Sequence, residues 1–300
     1  MLVDVHNQRV PDLKTLQTIV GVADGGSFGA AAAELGLSQQ AVSARVKEAE
    51  ANLGVALFAR TSRGAQPTVA GTALLAGARD VLAAAQRLEQ DAQELRHPGR
   101  QTVTVSASFT AVAAYVPQWV AALHQHHPHM HFRVRAGNST EIALAVAAGD
   151  VGLGVIESRE IVAAARHRLD DRVVATDELC VAVPPHHHWA HEPRIDAATL
   201  RRTPLIMREA GSGTRTVAEA ALGRLATPVA EVASQQGVAA CVRELGVPAI
   251  LPARLVAAAG LVGVPVDGVD LSRPIRLVWR RGSPPRGAQA SLMRAALSTA

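Results

Sequence analysis

Aromatic side chains are scarce here: Phe, Trp and Tyr supply 3% of 300 residues. The cores must therefore be built from Ala, Val and Leu, within an apolar share of 48% that is ample for more than one packed domain. Cysteine is nearly lacking. Cys180 and Cys241 stand alone, follow no metal-ligand spacing, and read as reduced buried thiols of a cytoplasmic protein rather than as a disulfide framework. No uncharged apolar run is long enough to span a bilayer, so no membrane partner is expected. The opening MLVDVHNQRVPDL carries acids and a proline and does not read as a signal peptide. A surplus of charge is missing as well. The formal net charge is +4, and over residues 1–69 six basic side chains meet six acidic ones. Any attraction to DNA in that part must come from where the charges stand. No nucleophile–base pair, paired carboxylates or phosphate-binding loop appears, and Gly211-Ser212-Gly213-Thr214-Arg215 lacks the Lys and spacing of a Walker motif. The chain is not expected to be an enzyme.

What is present is concentrated first between Leu13 and Pro67. Leu13, Leu16, Ile19, Val20 and Ala23 recur at helical spacing behind Asp12, a fitting N-cap. Ser27 can cap a second helix through Ala30–Ala33, ended by Gly36, and Ser38 a third from Gln39 to Leu53, stopped by Gly54. Two short helices meeting at Gly36-Leu37, with an extended pair behind them, make a winged helix-turn-helix, and double-stranded DNA the first partner to consider. Val42, Val46, Ala49 and Leu53 must face the core. That leaves Gln40, Ser43, Ala44 and Lys47 outward, flanked by Gln39 and Arg45. Gln bonds an adenine edge, Ser a base or phosphate, and Lys and Arg a phosphate or guanine. Small Ser43 and Ala44 let the helix sit deep in the major groove. The wing is read as strand 57–60, a turn from Thr61 to Gln66 and a second strand 67–69, with Arg60 and Arg63 framing Gly64 and reaching phosphates or an adjacent minor groove. A long helix follows from Val69 to Arg96. Its Leu74, Ala78, Val81, Ala85, Leu88, Ala92 and Leu95 form a heptad seam for pairing with a second copy, which would place two reading helices on a pseudo-palindromic site.

These segments resemble the LysR-type transcriptional regulators. The resemblance rests on FGAAAAELGLSQQAVSARVKEAEANLGVALFAR and PTVAGTALL, with Ser38-Gln39-x-Ala41-Val42-Ser43, Leu53-Gly54, Leu57-Phe58-x-Arg60 and Thr68-x-Ala70-Gly71 in register, and it extends over essentially the whole chain. It implies a DNA-binding regulator, a homotetramer where the seam alone implies a homodimer, and a two-lobed, periplasmic-binding-protein-like effector domain with its ligand between the lobes. One departure is that many members place Arg or Gln where Ala44 stands, so a base contact made there by others is absent.

Past the linker RHPGR (96–100), strand-like 102–108, 131–137 and 151–157 alternate with helices from about Thr110 to Gln125 and from Thr140 to Ala148. This rhythm implies a parallel sheet with outer helices. A second such unit runs through 173–184, 203–215, a helix from Thr216 to Leu225, 228–234 and 246–252, and 275–281 returns to the first. The fold class is α/β overall. The expected domains are 1–69 for DNA, 70–97 for the dimerisation helix and 98–300 for an effector, with lobe I at about 98–160 and 267–300 and lobe II at about 161–266.

Candidate effector contacts lie at the carboxyl ends of the strands, where ligands bind in such sheets. They are Ser106, Ser108 and Thr110; Asn138 and Ser139, behind Gly137; Ser212, Gly213, Thr214 and Arg215 at a helix start; and Ser234, with Gln235 beside it. Hydroxyls, free helix N–H groups and Arg215 suit a small carboxylate, sulfate or phosphate. No cofactor is expected. GNSTEIALAVAAGDVGLGVIE and REAGSGTR are most similar to the subset of the family that answers small anions in carbon- or sulfur-assimilation control. His124, His126, His127, His129 and His131, and His186, His187, His188 and His191, crowd two proline-flanked stretches. They read as solvated loops; a metal-responsive regulator is the alternative. A transport-type solute-binding protein is a further rival, and it leaves the N-terminal unit unexplained.

Overall fold

The computed structural model describes residues 10–61, 64–96 and 102–299. The chain forms two compact units, Met1–Arg96 and His97–Ala300. Residues 97–100 of the linker, together with Arg63, lie outside the described residues.

The first unit begins with α1 (Leu13–Gly25), α2 (Phe28–Leu35) and α3 (Gln39–Leu53). Each starts on the side chain the sequence offers: Asp12 accepts from Thr15 N–H, Ser27 from Ala30 N–H and Ser38 from Ala41 N–H. Ile19, Val22, Ala31, Val42, Val46 and Ala49 close a single small core with Leu57 and Leu75. The wing differs from the expected one. β1 (Phe58–Thr61) and β2 (Gly64–Pro67) pair antiparallel, with Thr61 opposite Gly64, so the first strand runs on to Thr61, and the second begins at Gly64 and ends before residue 68. Gly64 makes this possible at φ +110°, with its α-carbon side so close to Gly26 that a β-carbon would stand 2.3 Å from the Gly26 carbonyl oxygen. Val69 then opens α4 (Val69–Arg96) rather than closing a strand, because Thr68 caps the helix by accepting from Gly71 N–H. Gly71 is required there, since a β-carbon would lie 2.0 Å from the Leu57 carbonyl oxygen.

The second unit continues with β3 (Thr102–Ser108), α5 (Phe109–Ala114), α6 (Val116–His126), β4 (His131–Gly137), α7 (Ser139–Ala148), β5 (Gly154–Glu157) and α8 (Ala163–Arg166). Then come β6 (Leu169–Val183), α9 (Ala197–Arg202), β7 (Ile206–Arg208), α10 (Gly213–Leu222), β8 (Ala230–Val232) and α11 (Gln235–Leu245). The unit ends with β9 (Ala249–Pro252), α12 (Ala253–Val256), β10 (Val262–Val264), β11 (Ser272–Arg280) and α13 (Gly287–Ser298). The single helix expected over 110–125 is two, broken at Tyr115, because Pro117 in the first turn of α6 has no N–H to continue a ladder.

The strands run in the order β4-β3-β5-β11-β6-β9-β7-β8, with β10 beside β6. β4, β3 and β5 are parallel, as are β8, β7 and β9. The 15-residue β6 joins the two halves. It pairs with β11 from Leu169 to Glu178 and with β9 from Leu179 onward, while β11 also pairs with β5. The two lobes are therefore held by two neighbouring antiparallel crossings. In lobe I, α6 and α13 cover one face of the sheet and α7 the other, which buries β5 on both sides. In lobe II the two faces are filled by separate clusters around Leu200, Leu205 and Leu222, and around Val238, Val242 and Leu251. The carboxyl ends of β3, β4, β5 and β7 come together where the lobes meet: Thr140 N–H donates to the Gly211 carbonyl across that line at 3.2 Å.

Candidate DNA-reading face and effector cleft

In the first unit, α3 turns Val42, Val46 and Ala49 inward and leaves Gln39, Gln40, Ala44 and Lys47 exposed, with Ser43 half-buried between them. Four of the expected contacts, Gln39, Gln40, Ser43 and Lys47, thus share one accessible stripe. Arg45 does not join it. Three residues past Val42 and four before Ala49, it falls beside α1, where its guanidinium donates to the Thr18 hydroxyl at 3.2 Å. That hydroxyl in turn donates to the Lys14 carbonyl. Through this bond Arg45 ties the reading helix to α1. Arg60 lies on β1, its side chain outside the described residues. On α4 the seam divides: Ala78 is buried and Leu74 half-buried in the unit's own core, while Val81 and Leu88, one heptad apart, stay 42% and 71% exposed.

The cleft of the second unit is built from buried polar groups. Arg273, on β11, is fully buried; its Nε and Nη2 donate to Asp177 Oδ2 of β6 at 3.0 and 2.8 Å. Its Nη1 donates to Thr214 Oγ1 and its Nη2 also to Thr110 Oγ1. Gln235 Nε2 donates to the same two hydroxyls at 3.0 and 3.1 Å. The Tyr115 hydroxyl adds a bond to Asp177 Oδ1, and burial first, then the Asp177 charge, push that phenol up to about 12. Glu157, at the end of β5, lies 3.6 Å from Arg273 Nη1. Burial raises the Glu157 carboxyl above the ordinary carboxylate range, against the pull of Arg273 and Arg208 and of the hydrogen bond from Thr110. Gly213 brings lobe II against it: a β-carbon there would stand 1.8 Å from the Glu157 carbonyl oxygen. Arg208, at the end of β7, binds Glu209 with Nε and Nη2 at 2.8 and 2.9 Å and lies over the Phe109 ring of lobe I at 5.1 Å.

The expected effector residues divide accordingly. Thr110, Ser212, Gly213 and Thr214 meet at the cleft, but both threonine hydroxyls are engaged by Arg273 and Gln235 and serve as framework. Ser139 donates to the Glu157 carbonyl and accepts from Glu157 N–H, fixing the strand end. Ser108, Asn138 and Ser234 cap α5, α7 and α11. Ser106 is buried inside β3, two residues short of its end. Arg215, on α10, pairs with Glu219 at 2.7 Å and with Glu231 of β8 at 2.9 Å, and its Nη1 also donates to the Arg208 carbonyl at the end of β7 at 3.2 Å. Sequence reasoning missed Glu157, Asp177, Arg208 and Arg273, and noticed Gln235 without choosing it. Only burial distinguishes Arg208 from its neighbour Arg215.

Four buried side-chain atoms among the described residues have no hydrogen-bond partner: Glu157 Oε2, Arg208 Nη1, Ser212 Oγ and Gln235 Oε1. All four belong to this cleft. Ser212 also fails to cap α10, leaving the helix start uncapped by a side chain.

The chain matches the model of the bacterial regulatory helix-turn-helix protein, lysR family, over residues 13–72 and that of the LysR substrate binding domain over residues 96–300. The chain belongs to the LysR family. An HTH-type transcriptional regulator of Mycobacterium tuberculosis is 36% identical over 305 residues, covering 96% of each chain. Full-length CbnR, solved in complex with its target DNA, shares the fold at 22% identity and a TM-score of 0.53, covering 95% of this chain and 100% of that one. The regulatory domain of CcmR from Synechocystis PCC6803, solved in complex with 2-PG, matches at 15% identity and a TM-score of 0.59, covering 66% of this chain and 97% of that domain. As a LysR-family member the chain is a DNA-binding transcriptional regulator with an effector-binding domain and not an enzyme. No described helix is long and apolar enough to cross a membrane.

Proposed function

We propose that this regulator binds a pseudo-palindromic promoter site as a homo-oligomer in the cytoplasm, and that a small anionic metabolite between the lobes of its second unit sets that binding, with no cofactor or metal. The observation that carries the effector reading is the convergence of four unpartnered, buried polar atoms on one cleft. Such atoms cost about 1–3 kcal/mol each when left unpaired, and a bound molecule would recover that cost. Arg208 Nη1, the Ser212 hydroxyl and the start of α10 supply donors for its negative group. Exposed Val81 and Leu88 support pairing of α4 with a second copy. Effector binding then acts by shifting lobe closure, hence the spacing of the reading helices and the DNA bend. The histidines are left out of this reading; His187 is engaged locally, accepting from Trp189 N–H. Cys180 is equally outside it, since burial pushes its thiol up to about 11.

A gel shift of the full chain on the intergenic DNA upstream of its own coding sequence tests this. Retardation that weakens steeply with salt is expected; no retardation, with or without small organic acids, would overturn the reading.

A further inference from the structure

The donor and acceptor pattern of the cleft says more than that an anion fits. Of the four unpartnered atoms, Arg208 Nη1 donates, Ser212 Oγ donates or accepts, and Gln235 Oε1 accepts only. The amide orientation of Gln235 follows from its neighbours. Its Nε2 donates to the Thr110 and Thr214 hydroxyls, both of which also accept from Arg273, and this turns its oxygen away from them. Glu157 Oε2 is the second acceptor when the carboxyl is ionised, and burial, by raising the carboxyl pKa, lets it carry a proton at lower pH. It is 2% exposed, as are Gln235 and Arg208, with Ser212 at 1%. The charges facing Glu157 are Arg273 from β11, Asp177 from β6 and Arg208 from β7. Asp177 already answers Arg273, and Glu209 answers Arg208. Among the described residues each of these cations is paired with a carboxylate, and with Glu157 ionised the cleft presents two oxygen acceptors to whatever enters. An oxyanion that only accepts hydrogen bonds would satisfy Arg208 and Ser212 and leave Gln235 Oε1 and Glu157 Oε2 opposed by lone pairs.

Building on the cleft reading above, we infer that the effector is a hydroxy acid: its carboxylate or phosphate meets Arg208 Nη1, the Ser212 hydroxyl and the start of α10, and a hydroxyl on the same molecule donates to Gln235 Oε1 or Glu157 Oε2. Gln235 and Glu157 are then the residues that select against bare oxyanions such as sulfate. A site built to pair a ligand hydroxyl rejects the analogue lacking it, because its own buried polar atoms stay unpaired.

The test is thermal unfolding of the full-length protein with matched probes at millimolar concentration: glycerate against propionate, glycolate against acetate, 3-phosphoglycerate against 3-phosphopropionate, and sulfate alone. At least one hydroxylated member should raise the Tm, with its deoxy partner and sulfate binding at least about tenfold more weakly. Glu157→Gln and Gln235→Met should each narrow that gap; if Gln235→Met does not fold, Glu157→Gln carries the comparison alone. Equal stabilisation by a deoxy acid or by sulfate, lost in Arg208→Lys, overturns the hydroxy-acid inference and keeps the cleft as an anion site. Stabilisation by a hydroxy acid that survives Arg208→Lys and Glu157→Gln alike overturns both. No stabilisation by any hydroxylated member overturns the inference.

Discussion

The two units use polar side chains in opposite ways. On α3, Gln39, Gln40 and Lys47 stand in the open on a helix whose other face supplies the core, and nothing in the unit depends on them. In the cleft, Thr110, Glu157, Asp177, Thr214, Gln235 and Arg273 are all buried, and Arg273 and Gln235 link them into one network. A surface contact to DNA can be exchanged without disturbing the fold that presents it. A contact inside the cleft is also a structural member, because a buried charge deprived of its partner costs far more than the pair contributed. The first unit therefore separates stability from recognition, and the second joins them.

The largest effect that would test this contrast is Arg273→Leu. It leaves Asp177 buried without its cation and removes a donor from both Thr110 and Thr214. A loss of about 3–5 kcal/mol in the urea unfolding of the second unit is expected, whereas a change under about 1 kcal/mol would show that the network is not structural. Next is Gln40→Ala. Exposed on α3, it should leave unfolding within about 0.5 kcal/mol of the parent. It should nevertheless relax base preference at one position by about 1–3 kcal/mol in binding to a set of single-base operator variants. An unchanged preference would mean that the reading stripe is misassigned, and a large loss of stability would erase the contrast between the units. The subtlest signal is a slope. Glu157 holds its proton more tightly in the fold than in the unfolded chain, so its contribution to stability is full below the ordinary carboxylate pKa and is lost as pH rises from there through the raised value. Across that window the denaturation midpoint of the parent should fall with pH relative to that of Glu157→Gln; parallel curves would remove Glu157 from the account.

Much of the first unit was legible in the residues because its signals are local. Asp12, Ser27, Ser38 and Thr68 cap helices that begin within three residues of them, and Gly36 and Gly54 end helices at positive φ. The wing strands differ by a few residues from those the sequence suggests because Gly64, where β2 begins, docks against Gly26, 38 positions away in sequence. The same limit explains Arg45. Helical spacing places it on the flank of α3, and only the packing of α1 decides that it bonds Thr18. In the second unit the strand rhythm and the convergence of Thr110, Ser212, Gly213 and Thr214 could be read, while the charged residues that dominate the cleft could not. Arg273 and Asp177 are 96 residues apart, and Arg273 and Thr110 are 163 apart.

By itself the sequence determined the helix-turn-helix, the faces of α3, the α/β alternation of the second unit and the cancellation of charge over residues 1–69. Each of these follows from propensity, periodicity or composition, which act over a few residues. The tertiary structure alone decided which polar side chains are spent and which remain available. Arg215 is consumed by two glutamates, Thr110 and Thr214 by Arg273 and Gln235, and among the buried side chains of the described residues only Glu157, Arg208, Ser212 and Gln235 keep an unpaired atom. Whether a hydrogen bond is satisfied depends on every neighbour within about 3 Å, and in this cleft those neighbours arrive from elements scattered along the second unit.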